Sequence, residues 1–131
     1  MKNKILLAGL FCCSLISTEA QVLLDKNAGK NSFPIVSPSA NVVVCFDGKD
    51  ETVVRKSVSL FTDDVRRVTG QDLKAQASNP GEVSARYAII VGTAGKSAWI
   101  DALTAKKKID ITPIAGGWER YMIETVDNPA P

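Results

Sequence analysis

Gly92-Thr93-Ala94-Gly95-Lys96-Ser97 gathers the residue types that hold phosphate: two glycines, a lysine and a serine between an apolar run and a helical pattern. Main-chain amides at such a turn can cradle an anion, and the start of a helix adds positive potential behind them. The spacing decides against a nucleotide. A P-loop needs four residues between its first glycine and Gly-Lys-[Ser/Thr], enough chain to wrap its amides around a phosphate before the helix begins. Gly92 and Gly95 enclose only Thr93 and Ala94, and Ile90 stands where the first glycine would have to be. The dinucleotide pattern Gly-x-Gly-x-x-Gly is also absent, and with it the close approach of backbone to pyrophosphate. The turn is therefore expected to shape the backbone. Gly92 lets the chain leave a strand, Gly95 permits a sharp bend, and Ser97 caps the helix that follows. No ATP site is assigned.

The remaining reactive side chains narrow the chemistry further. The chain contains no histidine, which excludes within it a Ser-His-Asp triad, a Cys-His pair and an imidazole-rich zinc site. Cys45 stands in an apolar run and reads as a small buried hydrophobe. Asp63 and Asp64 adjoin as an acid–base pair might be sought, but they fall on the solvated side of a helical pattern. Trp118 and Glu119 are the types that serve sugar sites, an aromatic platform and a carboxylate. A single tryptophan between Gly117 and an apolar strand reads instead as a packing anchor between domains. Trp99, on a short helix, reads similarly, and neither belongs to a cluster of aromatics. No catalytic, cofactor-binding or metal-binding residue is assigned.

Bulk properties agree with a small globular domain. The chain has 131 residues, 45% of them hydrophobic and 23% charged, with a formal net charge of +2. That length fits one domain with a modest core, and that charge argues against a dedicated nucleic-acid surface. At the N-terminus, Lys2 and Lys4 precede a short apolar run, 5–16, and then Ser17-Thr18-Glu19-Ala20. This is the grammar of a secretory signal peptide over residues 1–20, with cleavage after Ala20. The run is too short for a stable membrane-spanning helix, which needs about 20 apolar residues. A lipid anchor on Cys12 or Cys13 is the weaker reading, because bulky Phe11 precedes Cys12 where a small residue is wanted. The protein is thus expected to be secreted or periplasmic. Cys12 and Cys13 leave with the signal, so Cys45 has no intramolecular disulfide partner.

The elements that would position these residues follow from hydrophobic periodicity. Residues 21–40 read as a polar lead-in, with a short edge strand at 33–36. A compact β-branched run at 41–46, stopped by Asp47-Gly48, reads as a buried strand. Val54, Val58, Phe61, Val65 and Val68 form one stripe on a helix, with Asp50 as its N-cap and Gly70 as its stop. Asp63 and Arg67 stand at a favourable i, i+4 spacing on its solvated side. Residues 71–86 read as a polar loop, 87–91 as a second buried strand, and 97–104 as a short helix with Trp99 or Ile100 and Leu103 facing inward. Lys106-Lys107-Lys108 reads as a solvated helix end. Ile109, Ile111 and Pro113 indicate an extended stretch, Gly116-Gly117 a turn, and residues 121–126 a third strand. The expected fold is a small α/β layer, strand-helix-strand-helix-strand, with helices packed on a sheet and at least one parallel strand pair.

Three stretches in order, "FDGKDETVVRKSVSLFTDDVRRVTGQDLKA" (46–75), "YAIIVGTAGKSAWIDAL" (87–103) and "IAGGWERYMIETVDNPAP" (114–131), resemble the N-terminal region of glycoside hydrolase family 115. The Val-Thr-Gly after the first helix, the Val-Gly-Thr turn and the Gly-x-Trp-Glu before a strand carry the resemblance, which covers about residues 41–131. It implies a parent α-glucuronidase that removes glucuronic acid or its 4-O-methyl ether from xylan side chains with inversion. Inversion needs two carboxyl groups about 6.5–9.5 Å apart, and in that family they belong to a following (β/α)₈ barrel. A barrel takes about 250 residues, more than this chain holds. The resemblance therefore implies that residues 41–131 are an accessory α/β domain, cut off before its catalytic partner and carrying no catalytic residue. A free-standing carbohydrate-binding module is the alternative, as is the N-terminal domain of another glycosidase such as a β-hexosaminidase, whose strand-helix layer is similar.

Overall fold

The computed structural model describes residue 29, residues 32–37 and residues 40–129. The expected signal peptide and most of the lead-in lie outside the described residues. Among the described residues the elements run β1 (Val42–Phe46), α1 (Thr52–Thr69), β2 (Lys74–Ala77), β3 (Tyr87–Val91) and α2 (Ala98–Ala105). The three strands form one sheet of order β2-β1-β3, with β1 parallel to both neighbours.

β1 is apolar at every position because it is covered on both faces, as central strands of parallel sheets are. Val42, Val43, Val44 and Cys45 are all buried. Register pairs Val43 with Ala88 and Cys45 with Ile90. These four share a face on which Trp99 of α2 completes a core cluster, flanked by Val83 and Ala85. The period of two sends Val42 and Val44 to the opposite face. There α1 packs across β1 and β2, with Val54 and Val58 buried. Burying a valine side chain contributes about 1.5–3 kcal/mol relative to exposure, so β1 and its two helices hold most of the core.

The helix at 52–69 stops as expected, on Gly70 in the left-handed region at φ 71°, its N–H donating to the Arg66 carbonyl. The apolar stripe is buried only over its first half. Phe61 and Val65 are half-buried, and Val68 is 84% exposed. The reason is length. Eighteen helical residues extend about 27 Å, whereas five strand residues extend about 17 Å, so the last turns overhang the sheet. On the solvated side Asp63 pairs with Arg66 at 3.3 Å rather than with Arg67, and Asp64 lies 4.0 Å from Arg67.

Four expectations are corrected. Residues 33–36 form a bend rather than an edge strand, with Phe33 edge-on to Tyr87 at 5.6 Å between ring centres. Within the expected loop at 71–86 lies β2, whose Lys-Ala-Gln-Ala holds no β-branched or aromatic residue to mark it as a strand and is largely exposed as an edge. Its backbone ladder to buried β1 supplies the pairing. The stretch containing Ile109, Ile111 and Pro113 is coiled into turns, with the amides of Ile114 and Ala115 donating to the Ile111 carbonyl. Residues 121–126 are not a strand: β1 is already paired on both sides, and this segment pairs with neither free edge. The order is therefore strand-helix-strand-strand-helix.

Candidate functional site

In an open parallel sheet, the place for a ligand is the crevice beyond the carboxyl ends of the strands, where strand order reverses. Here that point lies between β1 and β3. The loop after β1 brings Asp47, Asp50 and Glu51, and the loop after β3 brings the glycine turn. The turn and the two aspartates come from opposite halves of the chain, yet they meet.

Aspartate carboxylates on backbone amides anchor this point. Asp47 Oδ2 accepts the N–H of Ala98, the first residue of α2, at 2.9 Å, and its Oδ1 accepts from Lys49 at 2.8 Å. Asp50 Oδ2 accepts the N–H of Thr93 at 2.8 Å, and its Oδ1 that of Glu51 at 2.7 Å. Asp101 Oδ1 accepts the N–H of Gly95 at 3.1 Å. Lys96 forms an ion pair with Glu51, which raises the lysine above its ordinary pKa. The amides and the cation that a phosphate would use thus already face carboxylates of the same chain. An incoming anion meets three of those carboxylates, which Coulomb repulsion makes unfavourable.

The caps differ from expectation in an instructive way. Ser97 does occupy the N-cap position of α2, but its side chain makes no capping bond. Its hydroxyl is fully buried with no hydrogen-bond partner among the described residues, because it is turned onto Gly92. Asp47 caps α2 from across the sheet. Asp50, expected to cap α1, braces the glycine turn, and Glu51 takes the N-cap position of α1 without a side-chain capping bond. What sequence reasoning missed is the long-range role of Asp47 and Asp50, on the Ala98 and Thr93 amides. The sole local clue was an acid directly after a buried strand, and their partners lie 51 and 43 residues further on.

The Ala98 amide, followed by that of Lys49, holds the Asp47 carboxyl below the usual carboxylate range. A lowered folded pKa means that the unfolded chain binds the proton more readily. The stabilisation is complete above the unfolded aspartate pKa of about 4 and disappears as pH falls through the lower folded value. Melting temperature should therefore fall on acidification below about pH 4, and Asp47→Asn should flatten that acid limb. Thermal melts of both proteins between pH 2 and 7 check this, and parallel acid limbs would contradict it.

The other residues considered from sequence are spread out. Cys45 is buried at the sheet centre; burial pushes its thiol up, with the nearby Ser78 hydroxyl acting the other way. Trp99 is 3% exposed, and its Nε1 donates to the Ser78 carbonyl at 2.7 Å. Trp118 is 89% exposed and far from sharing that role. Glu119 is exposed beside it, in the left-handed region at φ 52°. Asp63 and Asp64 lie on the exposed side of α1 in ion pairs. Among the described residues no group of three histidine, cysteine or acidic side chains is placed to hold a metal, and no helix is long and apolar enough to cross a membrane. The chain matches no protein-family model and no curated protein.

Proposed function

We propose that this chain is the N-terminal, non-catalytic α/β domain of a secreted α-glucuronidase of glycoside hydrolase family 115, acting through its parent on glucuronoxylan side chains. The observation that carries the reading is the order of three motifs: Val68-Thr69-Gly70, Val91-Gly92-Thr93 and Gly116-Gly117-Trp118-Glu119. The first two fall at structural stops, the αL cap of α1 and the exit of β3. The carboxylates at the sheet end support a non-catalytic role, because Asp47, Asp50 and Asp101 brace backbone amides. A general acid and base for inverting hydrolysis need instead a water-filled gap between them. The pure chain should release no glucuronic acid from glucuronoxylan. Turnover above that of a heat-denatured control would overturn the non-catalytic assignment. Sequencing downstream of codon 131 tests the parentage: an open frame encoding a barrel supports it, and an immediate stop counts against it.

A carbohydrate-binding module is the second reading, favoured by one observation, the exposure of Trp118 together with Tyr121. Trp99 is removed from any such platform by its burial. On this reading xylan should quench tryptophan fluorescence saturably, and Trp118→Ala should abolish the quenching while leaving the Trp99 emission in place. An unquenched wild type returns the weight to the accessory-domain reading.

A further inference from the structure

We propose that Val22, Leu23 and Leu24 of the lead-in dock in an apolar notch between α1 and β3, a latch that closes the α1 face of the sheet. One wall of the notch is a flank of α1. In a right-handed crossover, the rule in about 98% of cases, α1 descends over β1 and β2 and leaves β3 on its other side. The turn of a right-handed helix then aims the residue before each inward one towards β3, and the residue after it past β2. With Val54, Val58, Phe61 and Val65 inward, the first set is Val53, Ser57, Leu60 and Asp64, and the second is Arg55, Ser59, Thr62 and Arg66. The large apolar groups fall on one side only. Val53 is 66% and Leu60 58% exposed, and the bare Val68 continues their line towards the overhanging end of the helix.

The floor is β3. Register aligns Tyr87 with Val42, Ile89 with Val44 and Val91 with Phe46, so these three side chains share the face on which α1 lies. Ala88 and Ile90 point the other way, into the Trp99 cluster under α2. α1 packs across β1 and β2, and neither helix covers this face of β3. Tyr87, Ile89 and Val91 are accordingly half-buried, although a strand so rich in apolar residues is suited to cover on both faces.

The lead-in already stands at the mouth of this notch. Phe33 packs edge-on against Tyr87, 5.6 Å between ring centres, which puts the chain on the α1 face at the start of β3. Immediately before it the chain is turned: the Ser32 N–H donates to the Gly29 carbonyl at 3.1 Å, and the Gly29 N–H to Ser32 Oγ at 2.8 Å. Residues 21–28, outside the described residues, read Gln-Val-Leu-Leu-Asp-Lys-Asn-Ala, with three apolar side chains in succession. Leu24 precedes Gly29 by five residues, a reach of about 17 Å, which matches the length of β3. Tethering at Phe33 favours this occupant over a separate molecule, because the cost of bringing two molecules together is not incurred.

Methyl NMR on the chain as isolated, with residues 21–131 complete, tests the proposal, and slow exchange of the β1 amides certifies the fold. Nuclear Overhauser contacts should join the Leu23 or Leu24 methyls to those of Leu60 and Ile89. Leu60→Ser supplies a second measurement. At an open surface position this exchange changes stability little, whereas beneath the latch it should lower the melting temperature by on the order of 5 °C. In a Leu23→Ser/Leu24→Ser background, which removes the occupant, the same substitution should shift the melting temperature hardly at all, the signature of coupled neighbours. Absence of contacts between the triplet and the notch, in a chain whose β1 amides are protected, would overturn the proposal. Equal Leu60→Ser shifts in both backgrounds would do the same. So would contacts seen only between differently labelled molecules in a mixed sample, which would assign the notch to a second copy of the chain.

Discussion

Trp99→Ala is expected to be the most damaging single change in the domain, costing about 3–5 kcal/mol as large aromatic truncations in cores do. Trp99 joins three parts of the structure at once. Its ring lies on Val43 and Cys45 of the central strand, Val83 and Ala85 close over the same cluster, and its Nε1 holds the Ser78 carbonyl at 2.7 Å. Truncation empties the core on the α2 face and leaves a part-buried carbonyl without its donor. Small domains have a total stability of about 5–15 kcal/mol, so the variant should be largely unfolded at 37 °C. Trp99→Phe separates the two contributions: it keeps most of the apolar contact and loses only the hydrogen bond, a cost of about 1–3 kcal/mol for the orphaned carbonyl. Urea unfolding followed by circular dichroism measures both, and a Trp99→Phe variant as unstable as Trp99→Ala would show that the hydrogen bond outweighs the packing. Trp118, exposed, serves as the internal fluorescence control.

Gly92→Ala is the second large effect, and here the added atom does the damage. A Cβ on Gly92 would lie 2.4 Å from Ser97 Oγ, 2.6 Å from Ser97 Cβ and 2.9 Å from Ile100 Cγ1. Contacts this short cannot be tolerated, so α2 must lift from the end of β3. Overpacking of this kind costs about 1–3 kcal/mol, and it also pulls Ala98 from Asp47 and Thr93 from Asp50. Gly92→Ala should lower the melting temperature by several degrees, at about 4–8 °C per kcal/mol for a domain of this size. Combining it with Ser97→Gly removes two of the three clashing atoms and should restore part of the loss, a coupling between neighbours that additive behaviour excludes. Additive losses in the double variant would show that Gly92 is needed for something other than the approach of Ser97. Gly95 differs: nothing lies near its would-be Cβ, but its φ of 76° makes any side chain strained.

What was legible in the sequence was whatever the chain specifies locally. Val42 to Cys45 is an unbroken β-branched run closed by a cysteine, and only a doubly covered strand accounts for it. The stripe through Val54 and Val58 and the stop at Gly70 needed no knowledge of the sheet. Leu103, with Trp99 or Ile100, was readable as the inner face of α2, and it is Trp99 that is buried beside Leu103. What was not legible depended on pairing at a distance. β2 is a strand because β1 lies beside it, and Lys-Ala-Gln-Ala is four residues long with no β-branched or aromatic side chain to announce it. Residues 121–126 have the periodicity but lack a partner in the structure. The cap of α2 was misassigned for the same reason. Ser97 is the local candidate, whereas the carboxylate that caps the helix comes from the far end of β1. The glycine turn resembled an anion site because its amides do bind anions, and the anions are the chain's own aspartates.

The position of β1 at the centre of the sheet has a consequence for how the protein reaches its fold. Its two neighbours both come later in the chain, and its partner β3 aligns Val42 with Tyr87, so half the sheet depends on closing a long loop. The β1-α1-β2 unit can form early from nearby residues, but it leaves Val43 and Cys45 facing water until β3 and Trp99 arrive. Parallel pairings between distant segments form slowly, and apolar surface exposed in the interval promotes association. Refolding yield should therefore depend more on protein concentration than on denaturant dilution rate, with the uncovered Val43–Cys45 face of β1 as the surface through which unfinished molecules meet.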